Sequence, residues 1–479
     1  MSQAEAPAPE LDDTLEWINS EPVVLGRCQG RVVALVFFNQ SSAYCANLLD
    51  AMHHLSLQHP QQLQVIGLHV PKYPAERDAG RVRDAVGRLG IRFPVASDPD
   101  YVAWQHYGVR GWPSVALLDH RGVLRELVAG DIAPQLLEQA IEPLLREAPM
   151  PLDEGATAVS GRRQTPDRVL WHPSGLAVGE RRLYIADSGR HRVLECTLEG
   201  RVLNRWGTGH PEHADGGPGE AAFDHPQGLL LHREALYIAD AGNHALRRLD
   251  LRSGEVETLA GNGRPGLPGT AAIDSPRDVS LNRPCGLAGD GERIYVSLAG
   301  ANQVWALDLG SGSLAHVAGS GELGWEDGNA RYARLAHPAG LAVNQNSLYI
   351  LDSASASLRR LTFNDGELRT IVGGGGLFES GNEDGPRERA RLRFPTGMAL
   401  QADAPVLWIA DAGNDQFRTL RLGGGAVATA QLGEVLRRPC AVASSPGAVW
   451  LADTDNHRIL RLDVGAGAVT AIEVTEEDA

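Results

Sequence analysis

Two domains of different class are predicted: an α/β domain over the first third of the chain, and behind it an all-β propeller of six blades. Three observations predict this. A unit of four short apolar strands, opened by Pro-x-Gly, returns six times from about residue 172. Ahead of it, apolar strands alternate with helices of 3.6-residue periodicity. The chain has 479 residues with 55 Gly and 28 Pro, too long for one ordinary core and rich in turn formers.

In the first domain Arg31 to Phe38 reads as a strand. Ala43 to Gln58 reads as a helix, with Leu48, Leu49, Met52 and Leu55 on one face. A strand over Leu63 to Val70 and a helix over Ala75 to Leu89 follow. Ser114 to Leu118, the turn Asp119-His120-Arg121-Gly122 and Val123 to Val128 predict a hairpin, with a last helix to Arg146. The expected limits are an N-terminal extension over 1–22, the α/β domain over 23–146, a linker over 147–164 and the propeller over 165–475. Met150, Leu152 and Val159 in the linker argue for partial docking.

The repeat opens at Pro173-Ser174-Gly175, Pro226-Gln227-Gly228, Pro284-Cys285-Gly286, Pro338-Ala339-Gly340, Pro395-Thr396-Gly397 and Pro439-Cys440-Ala441. Units of four strands at 44–58-residue intervals mark a β-propeller. Asp187, Asp240, Asp352, Asp411 and Asp453 end the second strand, with Ser297 taken as their counterpart in the third copy. An aromatic precedes each: Tyr184, Tyr237, Tyr295, Tyr349, Trp408 and Trp450. The aspartates are expected to accept bonds from turn N–H groups, and the aromatics to pack between blades. Loops opening at Asp215-Gly216, Asp327-Gly328 and Asp384-Gly385 carry too few carboxylates for calcium and read as turns with an apolar anchor.

Arg190-His191-Arg192-Val193, Asn243-His244-Ala245-Leu246 and Asn456-His457-Arg458-Ile459 resemble the Asn-His-Leu segment of the NHL repeat. The first domain, through its strand order and Gly111-Trp112-Pro113-Ser114, resembles the thioredoxin-like superfamily in its longer redoxin form. Together they are similar to the thioredoxin–NHL fusion proteins over most of the chain. The resemblance implies an α/β thioredoxin-like domain followed by an all-β six-bladed NHL β-propeller. It implies a cis proline at Pro113, facing a Cys-x-x-Cys pair at a helix start. The aligned segment is Ser42-Ala43-Tyr44-Cys45: the second cysteine is present and the first is serine. The first carries the chemistry, as a thiolate stabilised at the helix N-terminus. A serine cannot form a mixed disulfide, so dithiol exchange is not expected. Ser42, Cys45 and Pro113 are the candidate redox position, and Trp112 with Pro113 the candidate groove.

The formal net charge of -16 disfavours extended nucleic-acid or anionic-membrane binding. Five scattered cysteines, no signal-like N-terminus and no long apolar run suggest a soluble cytoplasmic protein. Similar propellers of amidating lyases hold a metal with histidines from alternate blades. Here those positions are His172, His225, Arg283, His337, Phe394 and Arg438. His225 and His337 are weak candidates because the alternate third member, Arg438, cannot ligate a cation. The reading is a scaffold without cofactor that binds protein or peptide. The alternatives are a thiol-dependent oxidoreductase or redox sensor using Cys45, and a metal-dependent lyase or hydrolase on the propeller axis.

Overall fold

Val32–Phe38 is a run of seven apolar residues, all buried, which suits a strand covered on both faces. The computed structural model places it as β2 in a six-stranded sheet, and describes residues 7–149, 160–162 and 168–476. The other strands are β1 (Glu16–Trp17), β3 (Leu63–His69), β4 (Val95–Ser97), β5 (Ser114–Leu118) and β6 (Leu124–Ala129), in the order β1-β4-β3-β2-β5-β6. β2 is parallel to β3 and antiparallel to β5, the β5–β6 hairpin turning at Asp119. Helices α1 (Ala43–Gln58), α2 (Ala79–Arg88), α3 (Val102–His106) and α4 (Pro134–Glu147) complete the domain. Alternation along β2 feeds two cores: Val32, Ala34, Val36 and Phe38 face one, Val33, Leu35 and Phe37 the other.

The chain divides into two compact units, Met1–Thr165 and Pro166–Ala479. Residues 7–22, expected as an extension, are built into the first. Leu15 is buried, β1 pairs with β4, and Glu10 accepts the N–H groups of Leu25 and Gly26. Most of the expected linker, with Met150, Leu152 and Val159, lies outside the described residues. Gly161 and Arg162 donate main-chain hydrogen bonds to Arg92 and Asn19 of the first unit.

The second unit holds six blades, each an antiparallel meander of four strands supplied in order by one repeat, and the short strand Gly328–Asn329 adds a fifth at the outer edge of blade 4. The inner strands carry the Pro-x-Gly segments and contact one another around the ring. A Cβ on Gly228 would stand 2.0 Å from the Cys285 carbonyl oxygen of the next blade, so this close approach excludes a side chain. The six apolar clusters of the propeller are its six blade interfaces. Tyr184, Tyr237, Tyr295, Tyr349, Trp408 and Trp450 each occupy a different one. The ring closes where Arg201 of blade 1 bridges Thr475 near the C-terminus, and Arg192 pairs with Glu476.

The aspartates do accept turn N–H groups: those of Trp171, Asp224, Ala336, Arg393 and Arg437. Their principal partner was not foreseen. Each is paired with an arginine of the third strand: Arg192, Arg247, Arg359, Arg418 or Arg458. Blade 3 corrects the repeat alignment. Pro284 pairs with Leu298 as Pro226 pairs with Asp240, so Leu298 and not Ser297 stands at the aspartate position. Trp305, fully buried, stands where blade 2 has Arg247. Ser297 Oγ instead donates to Ala339 O of blade 4, 2.6 Å away.

The three Asp-Gly loops enter the blades whose arginine lies seven residues after the aspartate. Asp215 accepts both the N–H and the hydroxyl of Thr258 and pairs with Arg247. Asp327 does the same with Thr370 and Arg359, and Asp384 with Thr429 and Arg418. Phe223, Leu335 and Leu392 anchor these loops in full burial.

Candidate functional site

β2 delivers the chain to the redox position. Asn39 to Ser42 turn away from its C-terminal end, and α1 starts at Ala43. Ser42 is the N-cap of α1: its hydroxyl accepts the Cys45 N–H at 3.3 Å, as a short polar side chain does at that position. Cys45 is fully buried in the core under α1, and its Sγ accepts the Asn39 N–H at 3.3 Å. Burial pushes its thiol up to about 12, more than the hydrogen bonds from Asn39 and Ser42 lower it. At neutral pH it is a thiol without solvent access. Cys28 lies in the other core across the sheet, and both cysteines are free thiols.

A carboxylate that sequence reasoning missed holds this corner. Buried Glu76 accepts from the Ser41 hydroxyl at 2.7 Å with one oxygen. With the other it accepts from the Asn39 amide at 2.7 Å and from the N–H groups of Lys72 and Tyr73. It ties the loop after β2 to the loop after β3, and the only sequence signal was a lone acid amid the helix-opening Pro74-Ala75-Glu76-Arg77. Lys72 is lowered by burial and His69 falls to about 4 for the same reason. His69 packs edge-on against Phe38.

The Trp112–Pro113 peptide is cis. Pro113 is buried, and Trp112, half-buried, packs 4.8 Å from Trp104 and touches both cores. The half-buried pair Trp104 and Trp112 therefore stands beside the candidate groove, with Pro113 buried.

The propeller histidines sit in a recurring backbone device. All six residues before Pro-x-Gly, and all six at the Asn-His-Leu histidine position, have φ between 46° and 55°. Asn, Asp and His tolerate this region best. The residue before Pro-x-Gly donates its N–H to the side chain at the histidine position of the preceding blade in the ring: His225 to His191, His172 to His457, Arg283 to His244, His337 to Asn302, Arg438 to Asp415. His225 and His337 do not share a group of three candidate ligands among the described residues. His225 Nδ1 lies 2.7 Å from Asp224, and His337 Nδ1 2.9 Å from Ala299 O.

The family model "AhpC/TSA family" matches residues 3–127, and "NHL repeat" matches residues 170–196. The chain is 31% identical over 86% of its length to NHL repeat-containing protein 2 of Gallus gallus and spans 62% of that protein. It is 28% identical over 87% of its length to Protein SUPPRESSOR OF QUENCHING 1, chloroplastic, of Arabidopsis thaliana, and spans 42% of it. Its first domain is 25% identical to thiol-disulfide oxidoreductase YkuV of Bacillus subtilis, over 29% of this chain and 95% of that one. Among the described residues no helix is long and apolar enough to cross a membrane.

Proposed function

The chain joins a thioredoxin-like domain of the AhpC/TSA family to a propeller of NHL repeats, and from that premise we propose that it is a non-catalytic, cytoplasmic binding scaffold for protein or peptide partners. The observation that carries this is the state of the redox position. Its serine caps a helix and its one thiol is buried and held protonated. A thiol-disulfide enzyme needs an exposed, stabilised thiolate there.

The propeller supports the binding half of the reading. Leu267, Leu323, Tyr332, Phe378 and Val435 are exposed, Tyr332 by 78% and Phe378 by 87%. All five lie in connections from an outer strand to the next inner strand. In a ring of like-oriented meanders those connections emerge on one face. Apolar side chains exposed on one face supply area that a bound partner could cover.

The full-length protein is expected to reduce insulin disulfides no faster than background, and Ser42→Cys to raise the rate above it. Wild-type turnover like that of an ordinary thioredoxin ends the scaffold reading. Partners captured by full-length protein are expected to be lost when Tyr332, Phe378 and Val435 are all changed to Ser.

A further inference from the structure

We propose that His191, Asp224 and His225 form a site for one divalent transition-metal ion of the zinc type, at the seam between blades 1 and 2. Among the described residues this is the one group of three His, Cys, Asp or Glu side chains whose ligand atoms all lie within 4.8 Å of one another. Two imidazoles and a carboxylate suit Zn²⁺ and its neighbours, and three protein ligands leave a fourth position for water. Asp224 and His225 keep 21% and 17% of their side chains exposed, enough for an ion to enter, while His191 is buried.

The backbone holds the ligands in place before any ion arrives. His191 occupies a left-handed corner of blade 1, and His225 a second one at the start of the inner strand of blade 2. The Asp224 N–H is fixed by Asp240 at 2.8 Å. A Cβ on Gly242 would meet the Asp224 carboxylate carbon at 2.4 Å, so that carboxylate is packed flat against a glycine and its rotation is restricted. Such support from the second layer orients metal ligands.

The electron count at the seam also asks for a cation. His191 Nδ1 accepts the main-chain N–H of His225 at 3.2 Å, so it is unprotonated, and a bound ion would take over the lone pair that this N–H now holds. The anionic Asp224 Oδ1 faces that same nitrogen at 3.2 Å and lies 2.7 Å from His225 Nδ1. Bonds of about 2.0–2.2 Å in a tetrahedron put ligand atoms about 3.3 Å apart. One spacing is already there. The Asp224–His225 spacing opens by roughly half an ångström as the ion replaces the proton on His225 Nδ1, and the two histidine nitrogens, within 4.8 Å of each other, come to the same distance. Uptake therefore releases a proton and weakens as pH falls.

Full-length protein stripped with a chelator is titrated with Zn²⁺ by calorimetry and with Co²⁺ by visible absorption. One ion per chain is expected, with a tetrahedral Co²⁺ spectrum. Asp224→Asn and His191→Asn should each weaken binding by more than about 100-fold, beyond the 10–100-fold typical of residues that only orient ligands. His191→Asn keeps the corner and the acceptor, as Asn302 does between blades 3 and 4, so the metal-free variant should melt with the wild type. No stoichiometric uptake overturns the site. So does uptake that both variants retain, which would place the ion on other histidines.

Discussion

Blade 3 of the propeller and the redox corner of the thioredoxin-like domain each depart from a pattern, in physically different ways. In blade 3 two residues change together: Leu298 and Trp305 stand where blade 2 has Asp240 and Arg247. At the corner after β2 one residue departs alone: Ser42 stands where the resemblance to thioredoxin-like proteins expects a first cysteine, while Cys45 and the cis Pro113 match it. A fully buried ion pair cannot lose one member without stranding the other charge, whereas an apolar pair of similar bulk is tolerated. A half-exposed helix start makes no such demand, because a serine hydroxyl takes over the cap. The lesson is that burial, more than residue type, decides which substitutions must travel in pairs.

The largest expected effect tests the paired half of that contrast. Arg247→Ala should lower unfolding free energy by about 3–5 kcal/mol, because Asp240 is left buried and unpaired. Asp240→Leu combined with Arg247→Met should cost less than Arg247→Ala alone. About 1–3 kcal/mol is expected, since the Asp224 N–H then lacks its acceptor. The second arginine partner, Asp215, is partly exposed and can be solvated. Denaturant unfolding of the three proteins decides it. A double variant as costly as Arg247→Ala alone breaks the comparison.

Glu76→Ala comes next, at about 1–3 kcal/mol, because it strands the donors of Asn39 and Ser41 and two main-chain N–H groups. Glu76→Gln should recover most of it, its amide donating to the Ser41 oxygen while its carbonyl keeps a backbone N–H. If alanine and glutamine cost the same, the carboxylate charge matters more than the hydrogen-bond knot.

Ser42→Ala should cost about 1 kcal/mol, the price of an N-cap. Read by thermal melting, a change as large as that at Arg247 would mean that the two regions obey one rule after all. The smallest effect is expected at Cys45. With the thiol pushed up to about 12 and sealed in the core, maleimide should not label it in the native protein at pH 7–8, and should do so after denaturation. Native labelling would reopen the single-thiol reading.

The repeat was legible because propeller signals are local: turn formers, an aromatic and an aspartate at near-constant spacing within one unit. The aspartate's arginine was not. Its offset is five residues in blades 1 and 6 and seven in blades 2, 4 and 5, so no fixed spacing exposes it. The slip from Leu298 to Ser297 has the same origin. A strand moved by one residue changes face, and only pairing with Pro284 fixes which residue is which. At the corner after β2 the sequence offered Ser42, Cys45 and Pro113 as candidates, but not Glu76, which lies more than thirty residues from its Asn39 and Ser41 partners.

The sequence by itself determined the order and kind of the domains, the count of blades and the absence of a cysteine pair. Those follow from periodicity and composition, which each segment carries within itself. Tertiary structure alone decided that Cys45 is sealed and protonated, that arginines answer the buried aspartates, that residues 7–22 belong to the first domain, and that His225 meets His191 and Asp224. These depend on which distant side chains share a space, and burial and close approach have value only once the chain has closed around them.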